Sequence, residues 1–374
     1  MVIMALDHTR EFLTNVPFDP GDLQRTWTVL FLTRWVSDFC APLFFLLAGV
    51  GAYFYGKRHN RAALTKFLLT RGSWLVFVEF TIIGTAWTFV FPSGFFGVIW
   101  TLGVSMIILA GVARLRVHLI AYLGIAVICL HNLFDFVRPA SFGGRAWVWN
   151  VLHVKGSVQI LGVREFVAYP LLPWCAVMGL GYALGWLLHQ KDRRTWMIRI
   201  GVAMTIGFIV LRVTNIYGNP PTVGGGAAPG EWHAQADMAK TFILFLDTEK
   251  YPPSLQFLLM TLGPSLLLLG WLNGRNISGW WRPLLVFGRV PMFFYVVHLY
   301  FIHAVAVVVA ILWKQPYVWL LRGGFGFNDL PDGYGHNLPF VYAMWGLIMV
   351  VLYFVCRWFS ELKQRRREWW LSYL

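Results

Sequence analysis

Residues 254–272 read SLQFLLMTLGPSLLLLGWL, nineteen positions without one ionisable side chain. Coiled as a helix, the stretch rises about 28 Å, close to a bilayer's hydrocarbon thickness of about 30 Å. Backbone polar groups have no water partners at that depth, so a segment of this kind must satisfy them internally as a helix. Outward from it, comparable apolar runs recur at 36–56, 72–91, 96–113, 117–134, 166–188, 197–213, 284–312 and 339–357. The expected fold class is therefore all-α, a polytopic membrane helical bundle of about ten transmembrane helices, treated as a single domain over 1–374. A transmembrane β-barrel would instead alternate polar and apolar residues at every second position. The first segment is the odd one. Met1 to Leu6 rise only about 9 Å as a helix before the polar cluster Asp7-His8-Thr9-Arg10-Glu11, so the first span reads as truncated.

Composition agrees with a membrane protein. Hydrophobic residues make up 58% of the chain and charged residues 13%, which excludes an ordinary soluble globular protein. The net charge of +14 would suit a nucleic-acid partner, but the charges sit in short segments between the apolar runs. Membrane topology accounts for them instead, and no nucleic-acid partner is expected. The loops at 57–71, 114–116, 191–199 and 275–289, with the tail from Arg357, hold 19 Lys and Arg, against 12 on the longer opposite side. By the positive-inside rule the basic loops are cytoplasmic, as are both termini and the basic tail 358–374. The four cysteines, Cys40, Cys129, Cys175 and Cys356, stand singly in or beside apolar segments and read as small buried hydrophobes.

The outer loops 135–165 and 214–253 are rich in Gly, Pro, Trp and His, including Gly224-Gly225-Gly226 and Pro252-Pro253. Loops of this length are commonly functional. They either cover a polar substrate or anchor aromatic rings at the interface.

Several residues invite chemistry. His8 has carboxylates beside it at Asp7 and, one turn on, at Glu11, the arrangement that fixes an imidazole as a general base. Asp7 pairs with Arg10 by the same spacing. A polar helix end at the interface explains the cluster equally well. Glu79 lies about 12 Å along a helix from Arg71, deep in the bilayer, where an ionisable group is costly and needs a partner. Arg212 is one candidate, and the bland reading is a buried structural pair. His298 and His303 are about 140° apart around their helix and cannot share one metal ion, so no metal site is read there or elsewhere. Tyr295 and His298 do share a face, while His303 reads as satisfied inside the bundle. Gly181 and Gly185 read as a close helix contact, not a nucleotide fingerprint. Asn276-Ile277-Ser278 matches a glycosylation sequon but falls on the cytoplasmic side.

Seven stretches, in order along the chain, resemble one family: MVIMALDHTR (1–10), SDFCAPLFFLLAG (37–49), VIWTLGVSM (98–106), YPLLPWCAVM (169–178), LRVTNIYGNP (211–220), YPPSLQFLLMTLGP (251–264) and 287–303. The family is that of transmembrane acyltransferases related to heparan-α-glucosaminide N-acetyltransferase, in its bacterial form. The resemblance implies transfer of an acetyl or other acyl group from cytoplasmic acyl-CoA to an extracytoplasmic glycan or small acceptor, at an amine or a hydroxyl. It implies acetyl-CoA or another acyl-CoA as co-substrate, no permanently bound cofactor, and a place in the bacterial inner membrane. The lipid bilayer is the constant partner, and a homo-oligomer is compatible with all of this. By position, His8 takes the role of the catalytic histidine, as general base or acyl carrier, with Asp7 and Glu11 orienting it. Arg10, Glu79, Arg212, Asn215, Tyr217, Tyr295 and His298 are the candidates for binding substrate or acyl-CoA, and Arg212, Asn215 or Tyr217 for holding an oxyanion. The broader superfamily places an Arg ahead of the catalytic His, at a position that would precede Met1, and the lysosomal enzyme has a histidine in the first outer loop where residues 12–34 have none. Lys57, Arg58 and Arg61 suit CoA phosphates, although topology already accounts for them. Two other classes stay open: a proton-coupled transporter using Glu79 and His298, and a non-catalytic membrane scaffold.

Overall fold

A computed structural model describes the chain apart from residues 92–94, 161–162, 220–230, 276–278, 325, 367, 369–370 and 372–374. Gly224-Gly225-Gly226 and Asn276-Ile277-Ser278 lie outside the described residues. The helices are α1 (Val2–Leu13), α2 (Thr28–Trp35), α3 (Cys40–Arg58), α4 (Arg61–Val78), α5 (Gly84–Thr88), α6 (Val98–Val112), α7 (Val117–Leu130) and α8 (Ala146–Leu152). They continue as α9 (Leu171–Leu188), α10 (Arg193–Thr214), α11 (Met238–Leu246), α12 (Leu255–Leu272), α13 (Arg282–Arg289), α14 (Pro291–Leu312) and α15 (Leu338–Arg365). Among the described residues, eight helices are long and apolar enough to cross a membrane, and α6 is a shorter apolar one. The chain is an all-α polytopic membrane bundle.

Sequence boundaries shift in two places. The run at 166–188 starts its helix only at Leu171, because Gly156–Ile160 (β2) and Val163–Val167 (β3) pair antiparallel, and Phe95–Phe96 (β1) adds in parallel to β3. A small three-stranded sheet thus accompanies the helices of the all-α bundle. The run at 284–312 breaks at Val290, since Pro291 lacks the N–H that would continue α13 and instead opens α14.

Where the sequence reading treats 1–374 as one domain, packing resolves two compact units. The first comprises Met1–Cys40, Phe80–Ser93 and Asn276–Leu374; the second comprises Ala41–Glu79 and Gly94–Arg275. In the second unit, helices meet at glycines. A Cβ on Gly49 would lie 2.1 Å from the Met178 carbonyl oxygen, and one on Gly181 would lie 2.0 Å from that of Leu46. Backbones of α3 and α9 thus touch directly, the close packing expected of Gly181.

In the first unit, the far end of α1 is clamped. The Tyr334 hydroxyl donates to the Phe12 carbonyl (2.5 Å), the His336 amide to Leu13 (2.8 Å), and the Asn15 amide to the His336 carbonyl (3.0 Å). The first two satisfy carbonyls that a helix end leaves without intrahelical partners. Burial holds the Tyr334 phenol above its ordinary range, so it remains a donor. Gly335 sits at φ +88° with the Thr14 carbonyl where a Cβ would be, so only glycine fits this approach.

Candidate active site

The first unit gathers the expected histidine and a partner that spacing alone did not provide. His8 on α1 meets His298 on α14: His8 Nδ1 and His298 Nε2 are 2.8 Å apart, and the rings stack with centroids at 5.0 Å. His298 is fully buried. Its Nδ1 lies 2.9 Å from the Phe294 carbonyl, one turn earlier on the same helix. Trp87 meets His8 edge to face at 4.8 Å. Tyr295 does the same to His298 at 5.5 Å, which agrees with their shared face.

This chain of contacts fixes the tautomers. A carbonyl only accepts, so His298 Nδ1 carries the hydrogen. A neutral His298 then presents a lone pair at Nε2, so His8 Nδ1 must donate to it. The remaining lone pair of a neutral His8 is on Nε2. Arranged this way, His8 can take a proton at Nε2 while His298 and the Phe294 carbonyl steady the resulting cation.

The neighbouring carboxylates do something other than expected. Asp7 is buried, and its Oδ1 accepts from Arg10 at 2.9 and 3.2 Å. Its Oδ2 lies 2.8 Å from the Ser37 hydroxyl. Arg34 continues the network, reaching Ser37 at 3.2 Å and Asp38 at 2.6 Å. Glu11 faces Arg10 at 3.7 Å. Asp7 and Glu11 thus both face Arg10, and His8 finds a hydrogen-bond partner in His298 on the other helix. The predicted Asp7–Arg10 pair is present. Arg10 is 3% exposed and engaged by both acids.

His303, on α14, stacks on Phe89 at 3.6 Å and has carbonyls at both nitrogens, Ala86 at 2.9 Å and Leu320 at 3.2 Å. Its ring is buried among the helices against main chain on both sides, in keeping with its sequence context.

The other candidates belong to the second unit, and each serves backbone. Glu79 opens a π-helical turn (Glu79–Ile83) that follows α4. Its side chain is 1% exposed and accepts from the Trp100 amide at 2.7 Å, with the Ile99 and Gly97 amides also bonding to it. A Cβ on Gly97 would sit 2.5 Å from Glu79 Oε1, so glycine there makes room for the carboxylate. Glu79 thus caps the N-terminus of α6, where orphan amides and the helix dipole favour an anion.

Arg212 mirrors this. Its guanidinium donates to the carbonyls of Leu244, Phe245 (3.0 Å) and Asp247 (2.8 Å), at the C-terminal end of α11. The suggested Glu79–Arg212 pairing is corrected: a helix end answers each charge. Asn215, left-handed at φ +51° after α10, clamps Trp232 through both of its amide atoms, at 2.7 and 2.9 Å. The Tyr217 hydroxyl donates to the Cys129 carbonyl at 2.7 Å. Arg212, Asn215 and Tyr217, the three residues read as oxyanion candidates, are each bonded to main chain. Lys57, Arg58 and Arg61 are exposed.

A family model described as heparan-alpha-glucosaminide N-acetyltransferase, catalytic, matches residues 1–214. The chain belongs to that family. Its membership, with the apolar helices, makes it a membrane protein of an acetyltransferase family. The matched region contains His8, Asp7, Arg10 and Glu79, whereas His298 lies beyond it. No curated protein and no solved structure gives a match.

Three residues of the second unit, His131, Asp135 and His153, escaped the sequence reading altogether. His131 and Asp135 are four apart at the end of α7, a ligand spacing visible in principle, and His153 packs against both. They had no motif to announce them, because the third member is set by the fold of 135–153.

Proposed function

We propose that this chain is a membrane acyltransferase that moves an acetyl or other acyl group from acyl-CoA to an acceptor hydroxyl or amine, with His8 as the catalytic base. The observation that carries this reading is the Phe294–His298–His8 chain, which leaves the basic lone pair of His8 on Nε2. His8 Nε2 takes the proton of the acceptor as its oxygen or nitrogen attacks the thioester carbonyl. The carbon–sulfur bond breaks, and the proton passes from His8 to the departing CoA sulfur. If His8 first carries the acyl group itself, the acyl–nitrogen bond forms at the same atom, and the two routes separate kinetically as sequential and ping-pong. Family membership supports acetyl-CoA as donor. The charge bias of the loops supports a cytoplasmic donor, both termini inside and an extracytoplasmic acceptor such as a sugar in a bacterial inner membrane.

The transporter reading loses its main residue, since Glu79 is bonded to the amides that open α6. The test is transfer of a labelled acetyl group from acetyl-CoA into an amino sugar by proteoliposomes. His8→Ala is expected to lower the rate about 100- to 10,000-fold, the usual loss for a general base. Undiminished transfer in that variant would overturn the assignment of His8.

A further inference from the structure

The cluster His131, Asp135 and His153 lies in the second unit, outside the machinery described above. One ligand-capable atom of each residue lies within 4.8 Å of the others. His131 is 1% exposed and His153 fully buried. Neither ring nitrogen of His131 makes a hydrogen bond of ordinary geometry, although the Pro253 backbone lies close to the ring, and His153 Nδ1 also lacks a partner. Buried polar atoms left in this state cost stability, so three at one point ask for a ligand.

His153 Nε2 lies 2.8 Å from the His131 carbonyl, the bond to main chain that commonly fixes a metal-ligating imidazole. Asp135 accepts from Asn132 Nδ2 at 2.7 Å, as a ligating carboxylate is usually held in turn. No Arg or Lys pairs with Asp135 among the described residues. Burial, with Glu249 nearby, pushes its carboxyl up to about 6. Burial also lowers His153, favouring the neutral imidazole that binds metals.

We infer that His131, Asp135 and His153 bind a divalent transition-metal ion, zinc by donor set, which ties the outer end of α7 to α8. Two imidazoles and one carboxylate suit zinc. Bonds of about 2.0–2.2 Å place tetrahedral ligand atoms roughly 3.3–3.5 Å apart, so the three close by at most about 1.5 Å. Asn132 already joins this point to α12 by accepting the Leu255 amide at 2.9 Å, so a metal here would be structural.

The test uses the full chain in detergent, purified without a histidine tag, stripped with a chelator and titrated with Zn²⁺ and Co²⁺. Elemental analysis is expected to find about one tightly held zinc per chain. Cobalt is expected to give the visible absorption of a four- or five-coordinate nitrogen and oxygen site. Zinc, but not magnesium, should restore the melting temperature lost on stripping. The double variant His131→Ala with His153→Ala is expected to lose the bound zinc and the cobalt bands. Should that variant fail to fold, the wild-type cobalt spectrum decides alone. A stripped wild type without such a spectrum, or one binding no more zinc than a folded double variant, would overturn the site.

Discussion

His8 and His298 are 290 residues apart in the chain and hydrogen-bonded in the first unit. The two are not equivalent. His8 carries the reacting nitrogen in the proposed mechanism, whereas His298 is a positioning residue that fixes which nitrogen that is. His298→Gln is expected to lower kcat about 10- to 100-fold, the cost typical of losing an orienting partner, with little change in KM. Its pH–rate profile should also shift on the acidic side, because the cation on His8 loses its neighbour. A variant with wild-type kcat and an unmoved profile would remove His298 from the mechanism. His8 was readable from the sequence because it sits within ten residues of distinctive pattern; its orienting partner was not. Local spacing points to Asp7 and Glu11, which both face Arg10, whereas His298 comes from far along the chain, where spacing carries no information. Arg212, Asn215 and Tyr217 show the same limit, since main-chain carbonyls carry no signature in the sequence.

At the scale of the element, α1 is held at its C-terminal end by residues 334–336, which brings a titratable group into the clamp. His336 stacks on Phe340 at 4.0 Å and meets Trp313 at 5.4 Å, and burial lowers its pKa from 6.5. A depressed folded-state value means that the unfolded chain binds this proton first as pH falls. Stability therefore declines as pH drops below about 6.5, and is fully present above it. Replacing the ring by one that cannot titrate, His336→Phe, should flatten the difference: melting temperatures of the two proteins in detergent diverge less at pH 7.5 than at pH 5.5, with wild type losing more. Equal losses would show that the clamp does not sense protons. The spans themselves were legible to within a few residues because apolar length is a property of the sequence alone. The sheet was not, since β2 and β3 are short and half-polar, and the break before α14 was visible only as Pro291 inside a longer apolar run.

For the molecule as a whole, eight long apolar helices together with the shorter α6 and α1 account for the ten segments that hydropathy marks. The division into two units was not legible, because each is assembled from separate stretches of chain. Glu79, capped by the amides of α6, has a consequence for how such a chain is made. Synthesis runs from the N-terminus, so Arg61–Thr88 reaches the translocon before Val98–Trp100 exist. Until they emerge, Glu79 is an acid entering lipid with no amides to receive it, a burden of roughly 2.5–3.5 kcal/mol for acidic Asp at a helix centre on insertion scales. This helix and α6 should therefore partition into the bilayer as a pair. In a glycosylation-mapping insertion assay, Glu79→Leu is expected to raise insertion of a nascent chain ending at Thr88. The same substitution should have little effect once the chain extends through Val112. An equal gain at both lengths would mean that α6 gives the carboxylate no shelter during biogenesis.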